Sequence, residues 1–280
     1  LDELQSCVKY LPDHNDLTLK VAGACMKRAP EGRHLLLCDT AFFTQLPVRV
    51  SAYAIPYSFW EKGLRRHGGC GLFHRWACRR AAEELPGPPG RVVSVRLGNH
   101  TNVAAVADGR AVETSLGFTS VEGIISSQSC GDIDPTIIFQ LNAKGMDFHE
   151  IQELLSRRSG FHGMLGRRCT LEQLLTGPAD EGVEFVRQVW RYQVMKYIGA
   201  FISALGGVDA VVFGSERPRT LLPVVRDLAA RLQFLGVALD QAAETGVLTT
   251  PASDIHAIHL NSDQWQVLAE EAGTFETTGG

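Results

Sequence analysis

Val186-Arg187-Gln188-Val189-Trp190-Arg191-Tyr192-Gln193-Val194-Met195-Lys196-Tyr197-Ile198-Gly199-Ala200-Phe201-Ile202-Ser203-Ala204-Leu205-Gly206-Gly207-Val208-Asp209-Ala210-Val211-Val212-Phe213-Gly214 decides the fold. Val186, Val189, Trp190, Val194, Tyr197, Ile198, Phe201, Ile202 and Leu205 recur at three and four, so one face of a long helix is buried. The helix stops at Gly206-Gly207, and Val208 to Phe213 reads as a buried strand, its six residues mostly β-branched or aromatic. A polar turn from Gly214 leads into a second helix, Leu221 to Leu232. Downstream, Ile255 to Leu260 reads as a strand, followed by a helix capped by Asn261 or Ser262.

Upstream, Arg91 to Leu97 is a β-rich run stopping at Gly98-Asn99-His100, after a link containing Pro86, Pro88 and Pro89. Val103 to Val106 and Ala111 to Thr114 flank Asp108-Gly109, a hairpin signal. Earlier still, Arg33 to Cys38 reads as a short strand that delivers Asp39 at its carboxyl end, as open α/β sheets present acids to a ligand crevice. Strands alternating with helices predict an α/β fold with one inserted hairpin.

At 280 residues and 45% hydrophobic content the chain can bury a sizeable core, in one large domain or two packed lobes. A net charge of -4 and a pI near 6.2 argue against nucleic-acid and anionic-membrane partners, which are held mainly by Lys and Arg. The pairs Arg65-Arg66, Arg79-Arg80, Arg157-Arg158 and Arg167-Arg168 are scattered among acidic residues and read as solvated surface. The 7 Cys, an odd number with no Cys-x-x-Cys, read as reduced thiols in the cytoplasm. No apolar run is long enough to span a bilayer, and the start Leu1-Asp2-Glu3-Leu4 lacks the features of a signal peptide.

Among residues that can carry chemistry, Cys130-Gly131-Asp132-Ile133-Asp134-Pro135 places two carboxylates beside a Gly turn. Asp132 and Asp134 can hold magnesium through water, or serve as cap and turn. Asp39 has the same two readings, metal holder or strand-end cap. Gly98-Asn99-His100 and Gly214-Ser215-Glu216 follow apolar strands, where backbone N–H groups cradle phosphates. His67, Cys70, His74 and Cys78 are ligand types at spacings of three and four, but along one helix the row runs about 16 Å, too long for one metal. His256 and His259 differ by three on a strand and point to opposite faces.

In order, Cys38-Asp39-Thr40-Ala41-Phe42, Ala54-Ile55-Pro56-Tyr57-Ser58, Leu97-Gly98-Asn99, Ser115-Leu116-Gly117-Phe118-Thr119, Gly131-Asp132-Ile133-Asp134-Pro135 and Lys196-Tyr197-Ile198-Gly199-Ala200 resemble the acetate kinase (acetokinase) family over nearly the whole chain. The resemblance implies a two-lobed actin-like (ribonuclease H-like) ATPase fold and a homodimer. It also implies Mg²⁺-dependent phosphoryl transfer between ATP, yielding ADP, and a short carboxylate, yielding an acyl phosphate. It sets residues 1–40 as a remnant of the first lobe, 41–260 as the nucleotide-binding lobe and 261–280 as a helix returning to the first lobe. On this alignment the sequence starts well inside the family's first lobe.

By the same resemblance, Asp39 matches the catalytic Asp and His74 the second His of Gly-Phe-His-Gly-Thr-Ser-His. Gly98, Asn99, His100 and Gly214 fall on nucleotide-contacting loops, and Asp132, Asp134 and Asp263 on acidic motif positions that can support metal. Several family side chains are replaced. The first motif His falls on Cys70, the Arg before Gly-Asp-Ile-Asp-Pro on Ser129, one acid near the C-terminus on Ser262, and the His of His-Leu-Gly-Asn-Gly on Arg96. The Gly-Gly-Ile-Gly-Glu-Asn loop reads Gly214-Ser215-Glu216-Arg217-Pro218-Arg219, and the Asp-x-Arg that holds the base side falls near Thr170 and Glu172. Phosphoryl transfer depends on positioning and cationic stabilisation, so these replacements predict impaired activity, with Arg96 and Arg217 as substitute cations. Two functions follow. One is a carboxylate kinase, alone or with a partner chain supplying the rest of the first lobe. The other is a catalytically inactive binding or assembly module.

Overall fold

A strand that is apolar along its whole length needs cover on both faces, and this chain supplies it from helices before and after each parallel strand. The computed structural model describes residues 1–8 and 12–278. The first elements are α1 (Asp2–Ser6), α2 (Pro12–Arg28), α3 (Val48–Ser51), α4 (Tyr57–Glu61) and α5 (Gly71–Glu84). A meander follows: β1 (Arg91–Leu97), β2 (Asn102–Ala107) and β3 (Arg110–Thr114). Then come α6 (Thr136–Ala143), α7 (Phe148–Arg157), α8 (Gly160–Leu165), α9 (Leu171–Thr176) and α10 (Glu181–Leu205). The last elements are β4 (Ala210–Ser215), α11 (Pro218–Ala230), β5 (Gly246–Val247), β6 (His256–Asn261) and α12 (Gln264–Thr278).

The chain divides into two compact units, Leu1–Cys38 with Ala272–Gly280, and Asp39–Glu271. The larger holds a six-stranded sheet in the order β3-β2-β1-β4-β6-β5. β1, β4 and β6 are parallel, whereas β2 and β3 pair antiparallel beyond β1 and β5 pairs antiparallel with β6. Every residue of β4 is buried, as its position at the centre requires. Strand alternation divides the core. Val93, Val95 and Leu97 join Val211 and Phe213 under α10 and α11, while Val92, Ala210 and Val212 meet Phe73, Trp76, Ala77 and Ala81 of α5.

α10 carries out what its periodicity predicts. Trp190, Val194 and Ile198 are fully buried, each such side chain contributing about 1.5–3 kcal/mol, whereas Val189, Tyr197 and Leu205 are only partly covered. Asp180 caps the helix by accepting from Val183 N–H at 2.8 Å, and Gly206 ends it in the left-handed region at φ 68°. The hairpin turns at Asp108-Gly109 as expected, both at positive φ.

Three local expectations are corrected. Arg33 to Cys38 forms no strand: a strand exists only beside a hydrogen-bonding neighbour, and among the described residues none flanks this run. Its Leu35 and Leu36 stay exposed. The cap of α12 is neither Asn261 nor Ser262 but Asp263, whose Oδ1 accepts from Gln266 N–H at 2.9 Å, because β6 extends through Asn261. His67 and Cys70 precede α5 rather than sharing a helix with His74 and Cys78.

Glu270 and Glu271 tie α12 to α5. Glu271 is fully buried, with Arg79 Nη1 at 2.7 Å and Arg75 Nε also on its carboxylate, while Trp76 Nε1 donates to Glu270 Oε2 at 2.7 Å. Two guanidiniums compensate one buried charge, which would otherwise be expensive to desolvate.

Candidate active site

Parallel pairing aligns Leu97 with Ser215 and Ser215 with Asn261, so β1, β4 and β6 end together. The segments that follow, Gly98-Asn99-His100, Glu216-Arg217 and Ser262-Asp263, therefore emerge side by side at the carboxyl edge, where open α/β sheets bind ligands. At Gly214 the backbone passes so close to Phe73 that a Cβ would lie 2.3 Å from its ring, which leaves glycine as the residue that fits.

The amino end of α5 reaches the same edge, held there by Asp39. Asp39 Oδ2 accepts from Cys70 N–H at 2.7 Å, Oδ1 from Leu72 N–H at 3.1 Å, and its carbonyl from Gly71 N–H at 3.0 Å. A carboxylate at a helix amino end is stabilised by the dipole and the free N–H groups there. Asp39 is thus a helix cap, yet it is exposed and each oxygen keeps a second lone pair for a ligand. Cys70 occupies the N-cap position of α5 at φ 56°, a strained conformation for a residue other than glycine.

His74 lies one turn further along α5 and is buried. Its Nδ1 meets Ser94 Oγ at 2.9 Å and its Nε2 meets Asn102 Oδ1 at 2.6 Å. Because Asn102 Nδ2 donates to His100 O at 3.1 Å and to Cys70 Sγ at 3.2 Å, its Oδ1 is left as acceptor, so Nε2 carries the proton and Nδ1 accepts from Ser94. Burial holds the imidazole neutral, its pKa lowered to about 3. His74 therefore organises loop 98–102 from below. Burial likewise pushes the Cys70 thiol up, opposed by the Arg96 charge.

Asn99 Oδ1 accepts from Leu171 N–H at 3.0 Å, fixing the start of α9 beside β1. Arg217, at the start of α11, pairs with Glu172 of α9 at 3.2 Å, linking the segment after β4 to the helix that Asn99 holds beside β1. Next to this pair, Arg167, Glu172, Gln173, Thr176, Gly177 and Pro178 line a cavity of about 430 Å³. Pro218, the first residue of α11, needs no N–H partner, so the replaced loop still starts a helix.

Other expected positions serve the scaffold. Asp132 accepts from Gly123 N–H at 2.9 Å and Tyr197 O–H at 2.7 Å, binding its loop to α10, and Asp134 accepts from Thr136 N–H at 2.8 Å at the start of α6. Ser129 is buried with its Oγ 2.7 Å from Ser126 Oγ. Ser262 is also buried, and its N–H donates to Ser215 O at 3.0 Å. His259 is buried with Nε2 3.0 Å from Ser215 Oγ, while His256 Nδ1 lies 3.2 Å from Thr249 Oγ1.

The order and spacing of these segments match a known family model, described as the acetokinase family, over residues 1–270. The chain belongs to the acetokinase family. It is 34% identical over 291 residues to the acetate kinase of Thermotoga maritima, covering 97% of this chain and 71% of that one. It is 33% identical over 249 residues to the acetate kinase of Halothermothrix orenii, covering 87% of this chain and 63% of the relative. The crystal structure of Porphyromonas gingivalis acetate kinase superimposes with a TM-score of 0.86 at 29% identity, over 98% of this chain and 71% of that chain. The acetokinase fold is the actin-like ATPase fold, as the motif order implies.

Within this acetokinase site, Ser94 and Asn102 escape the sequence motifs. Their role arises from side chains that α5 and the β1–β2 turn bring together, and no local spacing signals it. Tyr53 and Glu122 escape as well: Tyr53 donates to Glu122, which pairs with Arg66 at 2.5 Å, and Phe118 N–H donates to Tyr53 Oη at 2.8 Å. Among the described residues no three His, Cys, Asp or Glu side chains gather as a metal set, and no helix is long and apolar enough to cross a membrane. Mg²⁺ that arrives with a nucleotide needs no protein cage, since phosphate oxygens and water fill most of its shell, and the exposed Asp39 carboxylate fits that limited requirement.

Proposed function

We propose that this chain is a carboxylate kinase component that transfers the terminal phosphoryl group of ATP to a short-chain carboxylate. The observation that supports this reading best is the convergence of the β1, β4 and β6 ends with the Asp39-capped start of α5. In the reaction a carboxylate oxygen attacks the γ-phosphorus, the bond to the β–γ bridging oxygen breaks, and ADP leaves with that electron pair. Little covalent help is needed, so the chain's part is to orient the phosphates and balance their charge. Asn99 fixes the loop beneath the phosphates, His74 and Asn102 hold its far end, and Asp39 would hold Mg²⁺. When bound, the metal neutralises charge developing on the transferred group.

In this reading residues 1–40 and 261–280 belong to the first lobe and 41–260 to the nucleotide lobe, bounds that lie near those of the two compact units. The chain spans from about 63% to 71% of the length of these relatives. A homodimer is part of this reading, as the family resemblance implies. A cytoplasmic setting fits the free cysteines. A second reading is a nucleotide-binding module without transfer, favoured by the commitment of both Asp39 oxygens to helix N–H groups and by Cys70, Ser129 and Ser262 at replaced positions.

The test is trapping of acyl phosphate with hydroxylamine after incubating the chain with Mg·ATP and acetate, propionate or butyrate. Product that vanishes with Asp39→Asn supports the kinase. Mg·ADP binding by calorimetry without product supports the binding module, and absence of both removes the nucleotide reading.

A further inference from the structure

Arg96 stands next to the end of β1, and strand alternation points it to the same face as Ser94, whose hydroxyl meets His74 of α5. The side chain thus runs toward the first turn of α5. Its Nη1 donates to His100 O at 3.4 Å, and a Cβ on Gly98 would lie 3.1 Å from the same nitrogen, so the guanidinium rests on the Gly98-Asn99-His100 loop.

Arg217 at this edge is paired with Glu172, and Arg66 in the same unit with Glu122, but among the described residues no carboxylate pairs with Arg96. Among the described residues, one long bond to a carbonyl is what uses its fork of five donors. A half-buried guanidinium gives up hydration, which needs a compensating partner. The start of α5 is already met by Asp39, so the group beside Arg96 that can add to an anion site is the Gly98-Asn99-His100 loop that follows a strand.

We infer that Arg96 is the cation that receives phosphate oxygens at the carboxyl edge, binding them through its unused fork. This rests on the carboxylate kinase reading and deepens it by assigning the phosphate contact to a cation that, unlike Arg217, no described carboxylate pairs. A planar fork matches two phosphate oxygens at once, so the contact fixes orientation as well as charge. The same chemistry fits the nucleotide phosphates or the acyl phosphate.

The experiment is calorimetric titration of the full chain and of Arg96→Gln, Arg96→Met and Arg96→Lys with Mg·ADP, acetyl phosphate and adenosine, with circular dichroism confirming that each variant folds. The neutral variants should bind Mg·ADP or acetyl phosphate roughly tenfold more weakly or worse while adenosine binding stays within about twofold, and Lys should recover part of the loss. Whichever phosphate ligand weakens identifies the source. Equal Mg·ADP and acetyl phosphate affinities in wild type and the neutral variants overturn the assignment of Arg96 and leave the kinase reading standing. Adenosine weakened as much as Mg·ADP overturns it too, because the residue then acts on the fold. If the wild-type chain binds neither phosphate ligand, the assignment and the kinase reading fall together.

Discussion

Asn102 couples His74 to Cys70: its Oδ1 lies 2.6 Å from His74 Nε2 while its Nδ2 lies 3.2 Å from Cys70 Sγ. One amide thereby connects the interior of α5 to its amino end. Asn102→Ala should strand a buried imidazole N–H, at a cost of about 1–3 kcal/mol. Urea unfolding at pH 7 measures this, and an unchanged midpoint would refute the coupling.

Acid sensitivity follows from the same burial. The pKa of His74 falls from 6.5 to about 3 and that of His259 from 6.5 to about 4, in both cases because burial disfavours the charged ring. The unfolded chain then binds more protons than the folded one between these values. The stability contributed by the neutral rings is complete above pH 6.5 and lost as pH falls toward 4 and then 3. Unfolding midpoints taken from pH 7 to pH 4 should decline, and the slope should flatten in His74→Gln, which has no group to titrate there.

The Glu271 clamp separates a buried charge from exposed ones. Glu271→Ala leaves Arg75 and Arg79 without their shared carboxylate and should destabilise by about 3 kcal/mol. Glu172→Ala, which breaks an exposed pair with Arg217, should change stability by less than about 1 kcal/mol. Denaturation of the two variants side by side checks the contrast, and equal losses would contradict it.

Asn99 combines two roles at the carboxyl edge. Its side chain accepts from Leu171 N–H, so Asn99→Ala should cost about 1 kcal/mol in stability and also loosen the start of α9. Under the proposed function Mg·ADP affinity should fall as well. Calorimetry at a temperature where the variant is fully folded distinguishes the two effects.

Much of the fold was legible because periodicity is a local property. The α10 face, the β1 limits and the Asp108-Gly109 turn follow from residues adjacent in sequence. Arg33 to Cys38 misled for the complementary reason: an apolar run looks the same with or without a neighbouring strand. At the site, Asn99 follows the end of β1 and Gly214 lies within the end of β4, beside it in the strand register, whereas Asp39 reaches this edge through its bonds to the start of α5. The Glu172–Arg217 pair and the Ser94–His74–Asn102 chain were not readable, since partners separated by 45, 20 and 28 residues meet only after the sheet forms. Asp132 and Asp134 could be narrowed to cap or metal; Asp134 accepts from Thr136 N–H at the start of α6, whereas Asp132 joins its loop to Gly123 and Tyr197, partners that no local spacing announces.

The strand order has a consequence for how the chain is made. β4 is flanked by β1, completed more than a hundred residues before it, and by β6, which ends at Asn261. During synthesis the meander of β1, β2 and β3 therefore leaves the ribosome with an apolar edge uncovered until α10 and β4 follow. Pairing over such sequence distances is slow, and an open edge invites other chains. Newly made protein should accordingly depend on chaperones most heavily in the interval between the hairpin and the last parallel strand.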